Sequence, residues 1–374
     1  MVKRIWSLVI KDFTHLIRDW WLPAFMLFGG VLELLLIGWA TSRPITNLPI
    51  MILDQDQTPA SRELITALEN TTTFSISHYA AAFDEIESAL ERGSINAAII
   101  IPNNYGSETA TQNGNPTIAV ILNGAESTAA TVAIRSIDGL ITDLGMGITI
   151  ERLGLPEGAL AGLIPSLRVW FNEALNEALY TTPAELGLML EFTILIFAGL
   201  SFSREREMGT LEQLLVMPFS SLEIIAGKSI PVIIIGFVDF LLLGTIITLA
   251  FDVPIRGSVS LLLLLALIYI LVELGKGLVI SVSSRTQHQA FLIILLVGMV
   301  DFLFTGYAVP VESMPPILQT ISNLIPAHHW LVILRGILLK GVGLETLWPN
   351  VMALIILGIV IGSISLVIVR RSLD

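Results

Sequence analysis

Long apolar stretches constrain the fold of this chain more than any other feature. Each is about 20 residues or longer, the length that an α-helix needs to cross the hydrocarbon core of a bilayer. The stretches cover residues 20–40, 184–203, 229–251, 258–282, 288–309 and 346–369. Hydrophobic residues make up 54% of the chain and charged residues only 14%, which is more apolar surface than one soluble core could bury. The sequence therefore predicts a mainly α-helical membrane protein with six transmembrane helices.

Residues 1–19 predict an amphipathic helix that lies in the membrane interface. Apolar residues such as Ile5, Val9 and Leu16 recur at helical spacing, and lysines and arginines fill the other face, where they would meet anionic headgroups. A helix packed on a partner protein is the alternative. The span at 20–40 is predicted to be an uncleaved anchor, because the positive region before it is longer than that of a signal peptide.

Residues 41–182 predict an α/β domain inserted between the first and second spans, because their hydrophobic patterning is short and alternates with helical stretches. Strands are predicted for 47–53, 73–77, 95–101 and 117–122, and helices for 58–69, 81–91 and 127–153. The domain has 16 acidic and 6 basic residues, so it carries −10 of the chain's net charge of −12. Because no basic run is present to neutralise phosphates, nucleic acid is not expected as a partner.

The distribution of lysine and arginine predicts that both termini are cytoplasmic and that residues 41–182 are extracytoplasmic. With the N-terminus inside, ten basic residues lie in cytoplasmic segments near the spans, against three in the short external loops, as the positive-inside rule requires. Residues 183–374 then form a five-helix region in the cell (inner) membrane. Within it, the proline-containing residues 310–343 predict short helices at the outer leaflet, and a seventh span within 317–339 is the alternative.

The predicted cytoplasmic segment 204–218 carries the most informative motif, Arg-Glu-Arg-Glu-Met-Gly-Thr-Leu-Glu-Gln-Leu-Leu-Val-Met-Pro. Thr210 and Gln213 have the spacing of a capping box, which predicts that a short helix begins there. Pro218 would end that helix. A charged, amphipathic helix at the membrane surface is suited to dock a soluble partner. A solvated connection between two spans is the alternative.

With the residues that follow it, this segment resembles the permease subunits of the type-2 ABC exporter family, in a multidrug-efflux-like subgroup. The similarity extends over essentially the whole chain, in the same order of motifs. The further matching motifs are residues 168–172, Met314-Pro315-Pro316, Ile325-Pro326, residues 334–337 and Lys340-Gly341. The chain departs from the family pattern at Glu173, where the family has proline, and at Pro183-Ala184, where the family has Pro-Gly.

The resemblance implies a permease subunit of an ATP-driven exporter for an amphipathic, drug-like or lipid-linked substrate. It implies a separate cytoplasmic ABC ATPase that binds ATP and Mg²⁺, and a second permease copy or paralogue. Membrane lipid and a periplasmic adaptor are further candidate partners. By resemblance, residues 204–218 are a coupling helix and the N-terminal helix also contacts the ATPase. The candidate coupling residues are Arg204, Glu205, Arg206, Glu207, Thr210, Glu212 and Gln213.

Six ionisable residues fall within the predicted spans, where charged groups usually face a partner helix or a polar cavity. The candidates for an acidic lining of the translocation path, which would attract cations or cationic amphiphiles, are Glu33, Glu191, Asp239 and Asp301. Glu273 and Lys276 are three residues apart and predict an ion pair on one helix face. Purely structural hydrogen bonds between helices are the alternative for all six residues.

The sequence predicts no catalytic, cofactor or metal site in this chain. Gly227-Lys228-Ser229 has Leu222 where a phosphate-binding loop needs its first glycine. His328 and His329 are adjacent and would point to different faces of a helix. Two other functional classes stay open. One is a non-transporting membrane protein whose external domain binds a ligand or assembly partner. The other is a secondary transporter, which predicts inverted repeats that the sequence does not display.

Overall fold

The computed structural model describes residues 2–42, 45–111, 114–152, 154, 170–172 and 176–373. The motif residues Arg168 and Val169, the departure at Glu173, and Leu153 at the end of the last predicted domain helix lie outside the described residues. In chain order the elements are α1 (Val2–Arg18), α2 (Trp21–Thr41), β1 (Leu48–Asp54), α3 (Pro59–Glu69), β2 (Phe74–Tyr79), α4 (Phe83–Glu91), β3 (Ala97–Ile101), α5 (Tyr105–Ala110), β4 (Ala119–Leu122), α6 (Ser127–Arg152), α7 (Glu177–Glu207), α8 (Leu211–Val216), α9 (Ser221–Ala250), α10 (Val259–Ser283), α11 (Gln287–Phe304), α12 (Pro316–Ser322), α13 (Pro326–Arg335) and α14 (Leu344–Leu373).

The chain forms two units. A helical unit contains Met1–Arg43 and Val169–Asp374, and a sheet unit contains Pro44–Arg168. Six helices of the helical unit, α2, α7, α9, α10, α11 and α14, are long and apolar enough to cross a membrane. The expectation of about six membrane-capable helices is therefore confirmed. Helices α12 and α13 meet at 83° and would make a seventh if the bent pair crosses as one span.

Helix α7 begins earlier than the sequence predicts, and residues 177–182 belong to the helical unit rather than to the inserted domain. The side chain of Asn176 accepts a hydrogen bond from the backbone N–H of Ala178 and so caps the first turn. Pro183 lies inside the helix without ending it. The boundary predicted from apolar composition was wrong here because Glu177, Thr181 and Thr182 interrupt the apolar pattern in the first two turns of the helix.

Glycines allow the helices of this unit to approach closely. A β carbon added at Gly277 of α10 would lie only 2.5 Å from the β carbon of Ala198 on α7. A β carbon at Gly227 of α9 would lie 2.6 Å from the β carbon of Leu8 on α1. Because real β carbons do not approach so closely, any larger residue at these positions would push the helices apart. The N-terminal helix is thus packed directly against the backbone of α9.

The sheet unit is built on four strands in the order β2-β1-β3-β4. The first three strands are parallel, and β4 pairs antiparallel with β3. Helices α3 and α4 connect the parallel strands, as parallel pairing requires. Helix α3 begins where the Thr58 side chain accepts a hydrogen bond from the backbone of Ser61, with Pro59 in the first turn. The structure adds a short helix, α5, that the sequence analysis did not predict.

Alternating side chains of the central strands supply two cores, one on each face of the sheet. Ile52 and Ile99 are paired neighbours and both are fully buried in the core that α3 and α6 cover. Leu53 and Ala98 point to the other face and pack with Ile86 of α4. Because the period of a strand is two residues, a single apolar run such as 97–101 can fill both cores.

Candidate functional site

Glu205 lies near the end of α7 and ties three helices together. Its carboxylate accepts hydrogen bonds from Lys11 Nζ on α1 at 2.5 Å and from Lys228 Nζ on α9 at 3.2 Å. Thr210 donates its hydroxyl to the same carboxylate. Asp12 lies 3.4 Å from Lys11 and 3.6 Å from Lys228. We call these five residues the α1 junction. The charges of the two lysines balance those of the two carboxylates, and Thr210 is a neutral donor.

The neighbouring charges of the same segment also bind the chain itself. Arg204 pairs with Asp19, between α1 and α2. Arg206 donates to the carbonyl of Val282 at 2.9 Å, at the end of α10. Glu207 accepts a hydrogen bond from the backbone of Gln287 at 2.8 Å, at the start of α11. These groups therefore hold the ends of the helices together, although Glu207 is exposed.

The segment 204–218 is not the one continuous helix that the resemblance implied, whereas the short helix that the sequence predicts between Thr210 and Pro218 is present as α8. Residues 204–207 are the last turn of α7, and α8 is a separate helix of six residues. Gly209, with φ of +70°, separates them, a conformation that favours glycine. The predicted capping box is also wrong, since Thr210 makes no cap and its hydroxyl bonds to Glu205 instead. The capping box of this region is formed by Ser220 and Glu223 at the start of α9.

Helix α8 has a buried face and an exposed face. Leu211 and Leu214 are buried against the helical unit, whereas Glu212 and Gln213 are exposed. The Leu215 side chain lies outside the described part of the structure. The exposed face continues into large apolar side chains. We define the α8 surface as Met208, Glu212, Gln213, Val216, Met217 and Leu222. Val216 is 87% exposed, which is unusual for a valine unless another protein covers it.

A second group of charges lies within the apolar helices. Lys276 Nζ on α10 lies 2.7 Å from Glu273, 3.1 Å from Glu191 on α7 and 2.6 Å from Asp301 on α11. The side chains of Glu191 and Glu273 are fully buried. We call these four residues the lysine cluster. The sequence analysis predicted only the pair Glu273–Lys276, because the two other carboxylates reach the lysine from different helices.

Of the four residues predicted to line the path, two belong to the lysine cluster and two do not. The carboxylates of Glu191 and Asp301 both pair with Lys276, so each joins its own helix, α7 or α11, to α10. Asp239 is buried on α9 and is not part of the cluster. Glu33 is exposed on α2. The sequence analysis missed Tyr269, whose ring stacks on Trp330 with centroids 5.0 Å apart and whose hydroxyl lies 3.5 Å from Glu191.

The residues weighed as nucleotide or metal ligands have other partners. Gly227, Lys228 and Ser229 lie inside α9, and Lys228 belongs to the α1 junction. The ring nitrogens of His329 bond to the side chain of Asn350 and the carbonyl of Asn323, at 3.0 and 2.9 Å. Across the described ranges, no group of three or more histidines or carboxylates could hold a metal ion.

The sheet unit has a cavity of about 250 Å³ with apolar walls. Its lining includes Leu64 of α3, Tyr105 of α5, Ile118, which precedes β4, and Ile141 of α6. Burial raises the pKa of the Tyr105 phenol above its ordinary value, so the group stays neutral at physiological pH. The cavity is therefore suited to an apolar group and not to a charged one.

Comparison with known proteins places these features in a family. Residues 20–367 match the model of the family described as "ABC-2 family transporter protein". The chain is 28% identical over 371 residues to the "Probable multidrug ABC transporter permease YbhR" of Escherichia coli (strain K12), with 99% of each chain covered. It is 25% identical over 373 residues to the "Inner membrane transport permease YhhJ" of the same organism, with 100% of this chain and 98% of the relative covered.

A more distant match is the "ABC transporter G family member 20" of Dictyostelium discoideum. The identity is 24% over 348 residues, which cover 90% of this chain but 46% of that relative. The family match runs through both units, the α8 surface and the lysine cluster, and it includes Glu205, Thr210 and Lys228 of the α1 junction, whereas Lys11 and Asp12 precede it. The chain therefore belongs to the ABC-2 transporter family, as the permease subunit of an ABC exporter without an ATPase site of its own.

Proposed function

We propose that this permease forms an export path together with a second copy or a paralogue, and that its α1 junction transmits the motion of a partner ATPase to the spans. ATP and Mg²⁺ are bound by that partner. Both termini are cytoplasmic and the sheet unit is extracytoplasmic. The substrate is amphipathic, drug-like or lipid-linked. This class is supported by the word "multidrug" in the printed name of the relative from Escherichia coli.

The observation that carries the coupling proposal is the position of Glu205. It joins α1, α7 and α9 through Lys11 and Lys228, directly behind the short helix α8, whose exposed side chains include the apolar Val216. A displacement of α8 by the ATPase therefore acts at once on two membrane-capable helices and the N-terminal helix. Transmission of this kind needs a linked, rigid element between the partner and the spans.

The α8 surface is the docking site in this proposal, in place of the full set of charged residues that the sequence suggested. Val216→Asp is expected to reduce the amount of copurifying ATPase by about tenfold or more, because a charge would replace an apolar interface anchor. The exposure of Val216 means that the permease itself should fold normally. Pull-down from detergent extracts with quantitative mass spectrometry measures the ratio of ATPase to permease.

Val309→Asp is the matched control, since Val309 is also exposed, at 46%, in the connection after α11. It should retain the ATPase. Equal ATPase recovery from both variants would show that the α8 surface is not the docking site.

The exposure of Glu33 on α2 supports the proposal that a second permease copy packs against this helix. A carboxylate facing hydrocarbon is costly, yet Glu33 is exposed on α2 among Phe28, Leu32 and Leu36, which are also exposed. By contrast, the exposed side chains of α14 include the apolar Ile356 and Ile359. We therefore place the second copy, and with it the Glu33 side of the translocation path, against α2.

The absence of cysteine from the chain makes this placement testable by cross-linking. Leu36→Cys, one helical turn from Glu33, is expected to give a covalent dimer when membranes are treated with a short bifunctional maleimide. Ile359→Cys on α14, which is as exposed in the single chain, should stay monomeric on a denaturing gel. Dimers of Ile359→Cys without dimers of Leu36→Cys would assign the contact to the other side of the unit.

A further inference from the structure

The α1 junction borders a cavity of about 420 Å³ between α1, α7, α8 and α9. All of its lining residues belong to the helical unit. Its walls are mainly apolar, and they include Leu8 and Leu16 of α1, Phe197 and Leu200 of α7, and Val232 of α9. A cavity of this size is within the range of small-molecule binding sites. The proposed function gives this space no role.

The charged lining residues lie on α1, near the end of α7 and in the first turns of α9. Lys11, Arg204 and Lys228 line the cavity together with Asp12 and Glu205, so the lining residues carry an excess of one positive charge. Asp19, which pairs with Arg204, is not among them. His15, which is exposed on α1, also lines the cavity. The charged region is therefore selective for an anionic group, although the two carboxylates keep the excess small.

The apolar walls continue along the spans away from the charges. Phe197 precedes Glu205 by eight residues on α7, and Ile235 follows Lys228 by seven on α9. At a rise of about 1.5 Å per residue, both lie roughly 10–12 Å from those charged residues. An interfacial amphipathic helix such as α1 lies near the boundary of headgroups and acyl chains. The charged residues thus lie at the level of the headgroups, and the apolar walls lie at the level of the acyl chains of one leaflet.

We propose that this cavity binds an anionic phospholipid of the cytoplasmic leaflet. Its phosphate would lie near Lys11, Arg204 and His15, and the upper part of one acyl chain would lie along Phe197, Leu200 and Val232. Basic pockets between spans on the cytoplasmic side bind such headgroups. A nucleotide lacks the apolar tail that the walls require, and a zwitterionic lipid does not use the excess positive charge. The bound lipid would brace α1 against α7 and α9, so it is a regulatory component separate from the transported substrate.

The test uses the complete complex with its ATPase, purified in mild detergent and reconstituted in nanodiscs of phosphatidylcholine and phosphatidylglycerol. Lipids that remain bound after release from the nanodisc are counted by native mass spectrometry. We expect the bound lipid to be enriched in phosphatidylglycerol by about fivefold over the nanodisc composition, the effect of one net basic group near the headgroups.

Two substitutions that fill the cavity provide the specific variants. Ser7→Trp fills it from α1 and Leu200→Trp fills it from α7, since both residues line the cavity. Thr14→Trp is the control, because Thr14 is exposed on α1 and is not among the lining residues. The filled variants should lose the enriched lipid and the control should keep it. Because the two substitutions lie on different helices, either variant can test the proposal if the other does not fold.

Three results would overturn the proposal. They are retention of the enriched lipid by a folded, filled variant, equal binding of the two phospholipids, and lipid bound only when the ATPase is absent. The last result would assign the cavity to ATPase docking. None of these measurements requires transport. The lipid proposal can therefore be disproved while the proposed function holds, and the proposed function can be disproved while the lipid proposal holds.

Discussion

Replacing Lys276 by methionine is expected to lower the free energy of unfolding of the permease by about 3–5 kcal/mol, because breaking a buried ion pair leaves uncompensated charge. Methionine keeps the apolar part of the side chain but removes the ammonium group that Glu191, Glu273 and Asp301 share. The three carboxyl groups would then repel one another or take up protons. Thermal melting in detergent, followed by size-exclusion chromatography with fluorescence detection, measures the loss.

Lys340→Met is the matched control, since Lys340 is exposed at the end of the turn after α13. It should melt like the wild type. Adding Glu273→Gln to Lys276→Met should recover part of the lost stability, because it removes one of the three facing carboxylates. If Lys276→Met has the same melting temperature as Lys340→Met, the lysine cluster does not hold α7, α10 and α11 together.

Glu205→Ala is expected to detach α1 and to uncouple ATP hydrolysis from transport. The substitution removes the acceptor of Lys11, Lys228 and Thr210. Lys228, whose side chain is only 4% exposed, would retain the carbonyl of Ser201 at 3.1 Å and the more distant Asp12 at 3.6 Å. Losing one partner of such a network costs about 3–5 kcal/mol when it is buried, and less here because Lys11 is about one third exposed. Limited trypsin digestion should therefore cleave after Arg18 several times faster than in the wild type.

Glu207→Ala is the control for this experiment, two residues further along the chain. Glu207 is exposed and binds Gln287 instead of α1, so cleavage after Arg18 should not change. The ATPase activity of each complex is measured beside the digestion. Rapid cleavage in both variants would mean that general loosening of the helix ends, and not the α1 junction, controls α1.

The membrane-capable helices and the family could be inferred from sequence because their signals are local. An uninterrupted apolar run by itself indicates a helix in an apolar environment. The motif at 204–218 consists of consecutive residues, so it can be recognised without knowledge of the fold. The ends of helices are less local. Asn176 begins α7 in a polar stretch, and Gly209 ends the helical path before α8, so both boundaries differ from those expected from apolar composition.

The partners of charged side chains could not be inferred, because they lie far apart in sequence. Glu205 and Lys11 are separated by 194 positions, and Glu191 and Lys276 by 85. From sequence alone, Glu205 and Glu212 are equally plausible docking residues. Only the packing of α1 and α9 against α7 shows that Glu205 is held inside the chain, while Glu212 is exposed.

The two ways in which α1 is attached differ in how they respond to displacement. Its contact with α9 combines the ion pair of Asp12 with Lys228 and, where Leu8 meets Gly227, a dispersion contact. A gap of about 0.5–1 Å already removes a quarter to a half of the dispersion attraction. Its contact with α7 through Glu205 is electrostatic, and attraction of that kind falls only with the inverse of the separation. When the ATPase displaces α1, we therefore expect α1 and α9 to move together as one body. The longer-range ionic attraction to α7 would persist during this movement and would restore both helices to their starting position.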